Sequence, residues 1–493
     1  MLDVYVQNFK IYKQKKQRKN ERGLKIVMNN DNKRNTFTGS LGFVLAAAGS
    51  AVGLGNIWRF PFLAAKDGGG LFLVIYLVLA LTFGYTLLTS EIAIGRKTKQ
   101  SPLTAYGKIH KGCKPLGILA CMVPIIIMPY YCVIGGWVLK YFVGFATGNG
   151  KKMAKDGYFS SFITKQYEPI IYMVVFLAIT AVVVFLGVNK GIESFSKIIM
   201  PALIIMIIGI AIFSLTLKDP NSSRTGVDGL KKLVIPNFDG MTAKQFFKVT
   251  VDAMGQLFFS LSVAMGIMVA YGSYMPDDAK MAKSINQIEI FDTLVAFLAA
   301  AMIIPSVFTF MGEEGMSAGP GLIFITLPKV FEAMGGIGAI VGALFFAMVI
   351  FAAITSSVSI MEAVVSSFMD QFKVKRRTAG VIEAIIAIAA AVVVCLGYNK
   401  LFFNIKLPNG SDAQILDIMD YISNNIFMPI VAISECILIG YIIKPETIIE
   451  EVEKNNTKMG RKVLYKIMIK YVAPVLLIIL FLQSLGLLDF ILN

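Results

Sequence analysis

Long apolar runs, each closed by Gly, Pro or a group of basic residues, recur from residue 38 to residue 490. Most match the length of a bilayer-crossing helix of about 20 residues. The pattern predicts eleven spans, over residues 38–66, 70–95, 116–146, 169–187, 194–217, 245–275, 280–311, 336–371, 378–398, 414–443 and 463–490. Several exceed ~20 residues, which implies tilt or projection beyond the bilayer. The fold class expected is an all-α integral membrane protein. Two connections are longer than the rest. Residues 218–244 are polar and contain Pro and Gly, whereas 312–335 hold a short apolar element between Pro and Gly. That element is too short to span and suits a re-entrant or capping hairpin, with an ordinary amphipathic loop as the alternative.

The first span departs from the pattern. Its stretch AAAGSAVGLGNIWRFP, residues 46–61, holds glycines at 49, 53 and 55, then Asn56, Arg59 and Pro61. Five helices on, GQLFFSLSVAMGIMVAYGSY (255–274) carries a small polar SLS and then Ala, Met and Gly near its midpoint. Breaks at matching places in two five-helix halves predict a 5+5 inverted repeat with helices 1 and 6 broken. An unwound segment leaves carbonyls and N–H groups unpaired, at several kcal/mol each in hydrocarbon, so it persists where it lines a cavity or binds something. Free carbonyls suit a cation such as sodium, and half-helix N-termini suit a carboxylate. A zwitterionic amino acid travelling with a metal cation satisfies both. A glycine-rich packing seam is the alternative; it accounts for the glycines but not for Asn56 and Arg59.

Charge adds orientation. The chain is 56% hydrophobic and 16% charged, with a formal net charge of +16 and a mean hydropathy of +0.69. The first 36 residues carry ten Lys/Arg, the segment after the second span six and KVKRR after the eighth four, against one in the KDGGG turn. Positive residues concentrate on the cytoplasmic side, so the N-terminus is expected inside, the C-terminus outside after an odd number of spans, and the location the plasma (inner) membrane. The basic tail reads as a cytoplasmic arm near anionic membrane lipid; nothing aromatic or structured accompanies it to suggest nucleic acid. No short apolar core and cleavage site precede it, so no cleaved signal peptide is expected. Five cysteines without CxxC spacing and one histidine, His110, argue against disulfides, zinc and a histidine proton relay. The organisation expected is a tail (1–36), a first repeat (37–217), an extracellular loop (218–244), a second repeat (245–443), and a cytoplasmic loop with helix 11 (444–493).

GSAVGLGNIWRFP with the following GGG, then SEIAIGR, PYYCVIGGW, GQLFFSLS and AAITSSVSIME, together resemble the neurotransmitter:sodium symporters, most of all their bacterial amino-acid branch and its leucine transporter. The matches spread over about residues 34–443. The resemblance implies a symporter, not an enzyme, that imports an L-amino acid with two sodium ions by alternating access. One sodium site would use the carbonyls of Gly49, Val52 and Ala352 and the hydroxyls of Thr355 and Ser356. Five neutral oxygens fit a weakly held monovalent ion. The other would use the Ala51 carbonyl, Asn56, Ser260 and the carboxylate of the substrate itself, which links ion and substrate affinities. Ser260 stands for a threonine of the leucine transporter and keeps the hydroxyl. Asp292 falls where that transporter has an ion-binding asparagine, counted from the sixth helix; counting back from Pro305 misses by one. Animal members add chloride near this point. A carboxylate at ~4 Å from sodium supplies about 4 kcal/mol at an effective dielectric near 20, before desolvation, so chloride-independent transport is expected. An Asp facing a watery crevice is the alternative.

By the same resemblance the substrate pocket is lined by Ala51, Gly53, Leu54, Gly55, Ile127, Tyr131, Phe259, Ser260, Ser262, Met265, Ser356 and Ile360. Tyr131 and the N–H groups of Leu54 and Gly55 would take the carboxylate. Apolar walls select an apolar side chain, and Met265, where the leucine transporter has phenylalanine, accepts varied shapes. The expected cargo is a large hydrophobic or aromatic amino acid such as tyrosine, tryptophan or leucine. Arg59 with Asp420 would gate the outer side. Arg34 with Asp370 would gate the inner side, sealed by Phe37 and Tyr274; static pairs at helix ends are the alternative. Glu91 is expected to satisfy the unwound main chain of helix 6, and Glu435 is unassigned.

Three rivals make different predictions. A proton-coupled permease of the same architecture would replace the Thr355/Ser356 site with a Lys or a buried acid. A channel-like membrane protein would not need two opposed broken helices. An intramembrane enzyme would need an HExxH, GxSxG or paired-Asp constellation, and none accompanies the spans. No twelfth span, present in some relatives, is predicted, so the oligomeric state is left open.

Overall fold

The computed structural model describes residues 36–238, 241–316 and 321–488, and the compact unit begins at Phe37. The basic tail, with Arg34, lies outside the described residues. Among those described, nine helices are long and apolar enough to cross a membrane. A further span is bent by 51°: α1 (Ser40–Ala51) joined to α2 (Gly55–Lys66). Then follow α3 (Gly70–Thr98), α4 (Lys111–Ala146), α5 (Glu168–Phe185) and α6 (Val188–Leu215). The second interrupted element comprises α7 (Ala243–Ser260) and α8 (Ile267–Ser273). After it come α9 (Met281–Gly315), α10 (Gly335–Phe372), α11 (Arg376–Leu396), α12 (Ile415–Ile442) and α13 (Lys462–Ser484).

The apolar side chains sort by face. On α6, Ile198, Ile205 and Ile212 recur every seven residues and point outward, as a lipid-facing stripe does. Inward, α10 packs along α4, α6 along α9 and α8 along α3, with α1 held among α6, α9 and α10. Helix ends follow local chemistry. A Thr242/Gln245 capping box starts α7, and the left-handed residues Lys99 and Lys373 close α3 and α10. α6 begins at Val188, six residues before the predicted start at 194. The polar segment VNKGIE winds as a wide π-turn, because Glu193 is drawn inward by the Thr38 N–H (2.9 Å) and Lys197 (2.7 Å).

The connection 312–335 folds as a capping hairpin. α9 kinks at Gly312 (φ 67°), and Leu322–Thr326 and Leu327–Ala333 return toward the bundle. Phe324 enters an aromatic box. It stacks on Phe159 at 4.9 Å and meets Trp137 at 5.8 Å and Trp58 at 6.1 Å edge-on, while Tyr141 donates to its carbonyl at 2.8 Å. This ties the hairpin to α4 and to the second half of the broken first span. A two-stranded ribbon, Ile405–Lys406 with Asp412–Ala413, is the only sheet among the described residues.

Candidate functional site

Both interruptions are made by the main chain. α1 ends at Ala51, and Val52 turns to an extended ψ of 90°. The chain resumes through Leu54 into a π-turn at Gly55–Arg59. In the facing element, Ser262 (φ 53°), Ala264 (φ 59°) and Gly266 (φ 72°) all take left-handed conformations between α7 and α8. For the two non-glycine residues this costs on the order of 1 kcal/mol each. Named bonds hold them there. Ser262 Oγ donates to the Ser50 carbonyl at 3.0 Å, and the Ala264 N–H donates to Glu91 Oε1. Glu91 therefore satisfies unwound main chain, as expected; Glu435 accepts from the Tyr106 hydroxyl.

The breaks meet at one enclosed space of about 20 Å³. All twelve residues expected to line a substrate pocket border it, joined by Ser50, which sequence reasoning missed. Two glycines allow the close approach. A Cβ on Gly53 would stand 2.5 Å from Ser356 Oγ and 3.3 Å from the Tyr131 hydroxyl, and one on Gly55 would stand 2.8 Å from Phe259 Cδ1. The Tyr131 hydroxyl faces the Leu54 N–H and Ser356, so a tyrosine hydroxyl and a main-chain amide from the break meet on one wall. Ile127, Phe259, Met265 and Ile360 form the apolar remainder. The space holds about one water, so any larger occupant requires Phe259, Met265 or their neighbours to move.

Beside this space lies a fully buried polar cluster. Asn56 Nδ2 donates to Ser260 Oγ (3.0 Å) and to Asp292 Oδ1 (2.8 Å), and Ser260 Oγ donates to the same carboxylate oxygen at 2.8 Å. Asn56 Oδ1 accepts from the Gly53 N–H at 3.1 Å. Asp292 thus falls beside Asn56 and Ser260, where the count from the sixth helix placed it. Tyr76 donates to the second Asp292 oxygen at 3.2 Å, and Gln256 Nε2 donates to the Gly55 carbonyl at 3.0 Å. Neither was anticipated. Both sit in apolar runs, and their partners lie some 200 positions away.

The other expected cation position lies between α1 and α10. A Cβ on Gly49 would be 3.4 Å from Thr355 Cβ and 3.2 Å from Met200 Sδ, which places the end of α1 against Thr355. Thr355 Oγ1 donates to the carbonyls of Phe351 and Ala352, both at 3.0 Å. Ser356 was expected at both the cation position and the pocket. Its hydroxyl donates to the Ser50 carbonyl at 3.0 Å, beside the pocket that Ser356 also borders. Among the described residues, no three His, Cys, Asp or Glu side chains gather as a metal site. The neutral oxygens here suit an alkali ion.

The outer gate residues stand apart. Arg59 and Asp420 feel one another's charge but form no ion pair within 4.0 Å among the described residues. Asp420 instead accepts from Asn424 at 2.6 Å, and the Arg59 guanidinium lies beside Gly255. At the opposite end, Asp370 accepts from the Ser101 N–H (2.7 Å) and hydroxyl (2.5 Å), and its expected partner Arg34 is outside the described residues. Phe37 is buried, bonded through its N–H to the Tyr274 carbonyl at 3.0 Å and packed edge-on against Phe43, Tyr271 and Tyr274. The charged lock in this region was missed. Tyr274 donates to Glu362 at 2.6 Å, and Arg376 grips Glu362 through two bonds of 2.5 and 2.8 Å.

Comparison with known proteins converges on one family. Residues 34–150 and 158–489 match the sequence profile of the Sodium:neurotransmitter symporter family. An uncharacterized sodium-dependent transporter of Bacillus subtilis is 31% identical over 92% of this chain and 98% of its own. Another, from Methanocaldococcus jannaschii, is 31% identical over 90% and 89%. The sodium- and chloride-dependent GABA transporter 2 of Rattus norvegicus is 25% identical over 83% and 73%. Among solved structures, MhsT in complex with L-phenylalanine superposes with a TM-score of 0.80 and 31% identity, over 92% of this chain and all of that one.

Proposed function

Because this chain belongs to the sodium:neurotransmitter symporter family, and so is a sodium-dependent multi-pass membrane transporter rather than an enzyme, we propose that it imports a large hydrophobic or aromatic L-amino acid together with two sodium ions and without chloride. The observation that carries this reading is the enclosed pocket between the two broken helices, with the Asn56–Ser260–Asp292 cluster directly beside it. The substrate carboxylate would meet Tyr131 and the amides of Leu54 and Gly55. One of its oxygens would reach the first sodium ion, held by the Ala51 carbonyl, Asn56, Ser260 and Asp292. A second ion would sit among Gly49, Val52, Ala352, Thr355 and Ser356. L-phenylalanine bound to the structural neighbour supports an aromatic side chain against Ile127, Phe259, Met265 and Ile360.

The buried Asp292 carboxylate supports chloride independence, since the negative charge beside the ion is covalent. The chain would run as two inverted five-helix repeats with α1/α2 and α7/α8 as the moving broken spans, an eleventh helix after them, and the N-terminus in the cytoplasm of a plasma-membrane protein. A competition screen of the common amino acids against sodium-dependent uptake in proteoliposomes tests the substrate class. Tyrosine, tryptophan, phenylalanine and leucine should compete, and charged or small polar amino acids should not. Uptake unaltered when sodium is replaced by choline would count against the proposal as a whole.

A further inference from the structure

On the face that carries the basic loops, α9 and α13 begin beside one another and enclose a recess of about 350 Å³ with Tyr85 of α3 at its back. Four cations border it: Lys280, Lys283, Lys458 and Arg461. Arg461 is already committed. Its guanidinium lies 3.5 Å from the centre of the Tyr85 ring and donates to Glu289 (2.9 and 2.5 Å), Asn286 (2.7 Å) and the Leu81 carbonyl (2.8 Å). That charge is cancelled, and the group serves as a rigid floor. Lys280, Lys283 and Lys458 form no ion pair among the described residues. Glu453 feels Lys458 but is taken by Lys462 at 3.0 Å and the Met459 N–H at 3.3 Å, and Asp277, shortly before Lys280, pairs with Lys99 at 2.7 Å. Three uncancelled lysines therefore surround a concave space of headgroup size.

The recess opens onto apolar surface. Leu81, whose carbonyl Arg461 holds, is exposed with Val78 one turn before it. Ile290 follows Glu289, and Val463 lies two residues beyond Arg461; they are 62% and 72% exposed. A basic recess continuous with an outward apolar stripe has the two-part chemistry of a phospholipid, a phosphate at the interface and chains along the helices. Lysines bind phosphate as flexible point charges, and basic groups at a bilayer surface attract anionic lipid. We propose that this recess between α3, α9 and α13 is a binding site for one anionic glycerophospholipid, such as phosphatidylglycerol, which fastens the ends of α9 and α13 together.

The test uses the full-length protein, stripped of lipid in dodecyl maltoside, and follows its melting temperature on titration with dioleoyl phosphatidylglycerol, dioleoyl phosphatidylcholine or inorganic phosphate. Phosphatidylglycerol should raise it at concentrations where phosphatidylcholine does little. K280Q/K283Q/K458Q should need on the order of a hundredfold more phosphatidylglycerol for the same rise. K151Q/K152Q/K155Q, which removes three exposed lysines elsewhere, should match the wild type. Equal responses to both lipids, a lysine-depleted recess that responds as the wild type does, or full stabilisation by inorganic phosphate alone would overturn the proposal. Native mass spectrometry of the wild type supplies a reading that needs no variant. It should retain one phosphatidylglycerol against excess phosphatidylcholine, and retention of both alike would also overturn the proposal.

Discussion

On the α9 side of the pocket, the proposed cation position consists of side chains bonded to one another, with Asn56, Ser260 and Tyr76 converging on Asp292. On the α10 side, the other proposed position consists of neutral oxygens that now serve their own helix, such as Thr355 Oγ1 on the Ala352 carbonyl. The contrast is between a charged site preorganised by its neighbours and a neutral site made where two helices touch. The carboxylate's attraction for sodium survives because water is excluded, while the Asn56 amide, whose nitrogen now faces Asp292, turns its oxygen inward to become a ligand. Neutral carbonyls and hydroxyls hold an alkali ion only while α1 stays against α10. The first position should therefore set whether ion and substrate bind at all, and the second whether the bundle stays closed around them.

The largest effect expected is at Asp292. Asp292→Ala should abolish concentrative uptake, a fall of at least about a hundredfold, since a charge worth about 4 kcal/mol at ~4 Å is lost. Asp292→Asn should lose uptake in chloride-free medium and regain part of it when chloride is added; full activity without chloride would erase the distinction between the two sites. Next comes Thr355→Val, which removes one neutral ligand. The sodium concentration for half-maximal uptake should rise about tenfold, as for a lost hydrogen-bonding oxygen, with no chloride response. A chloride response there would show that charge is not what separates the sites.

Tyr76→Phe sharpens the same comparison. The Tyr76 hydroxyl touches Asp292 at 3.2 Å, so its loss should weaken sodium dependence several-fold, less than Thr355→Val, because the carboxylate keeps its two closer donors. Smallest is Met265→Ala in the pocket wall. It should change the ratio of aromatic to aliphatic uptake a few-fold and leave the sodium dependence untouched. A shift in sodium dependence would mean that this wall and the cation cluster act as one unit.

The spans were legible because hydrocarbon admits few polar residues, and the first break because glycines, Asn56 and Arg59 interrupt an otherwise apolar run. The pocket lining was legible through motifs. What stayed hidden shares one cause: partners distant along the chain give no local signal. Tyr76 reads as one more aromatic in an apolar run until folding brings it to Asp292. Arg376 reads as part of a topogenic basic cluster, KVKRR, although burial against Glu362 makes it a lock. Arg59 and Asp420 were named as gate partners, and their charges stand more than 4.0 Å apart; a sequence names partners without fixing their separation.

The account rests most directly on accumulation in sealed proteoliposomes with an inward sodium gradient and gluconate replacing all chloride. It predicts that a large apolar amino acid is concentrated inside and that the gradient collapses when potassium replaces sodium. Absence of accumulation, or accumulation that needs chloride or proceeds without sodium, would contradict it.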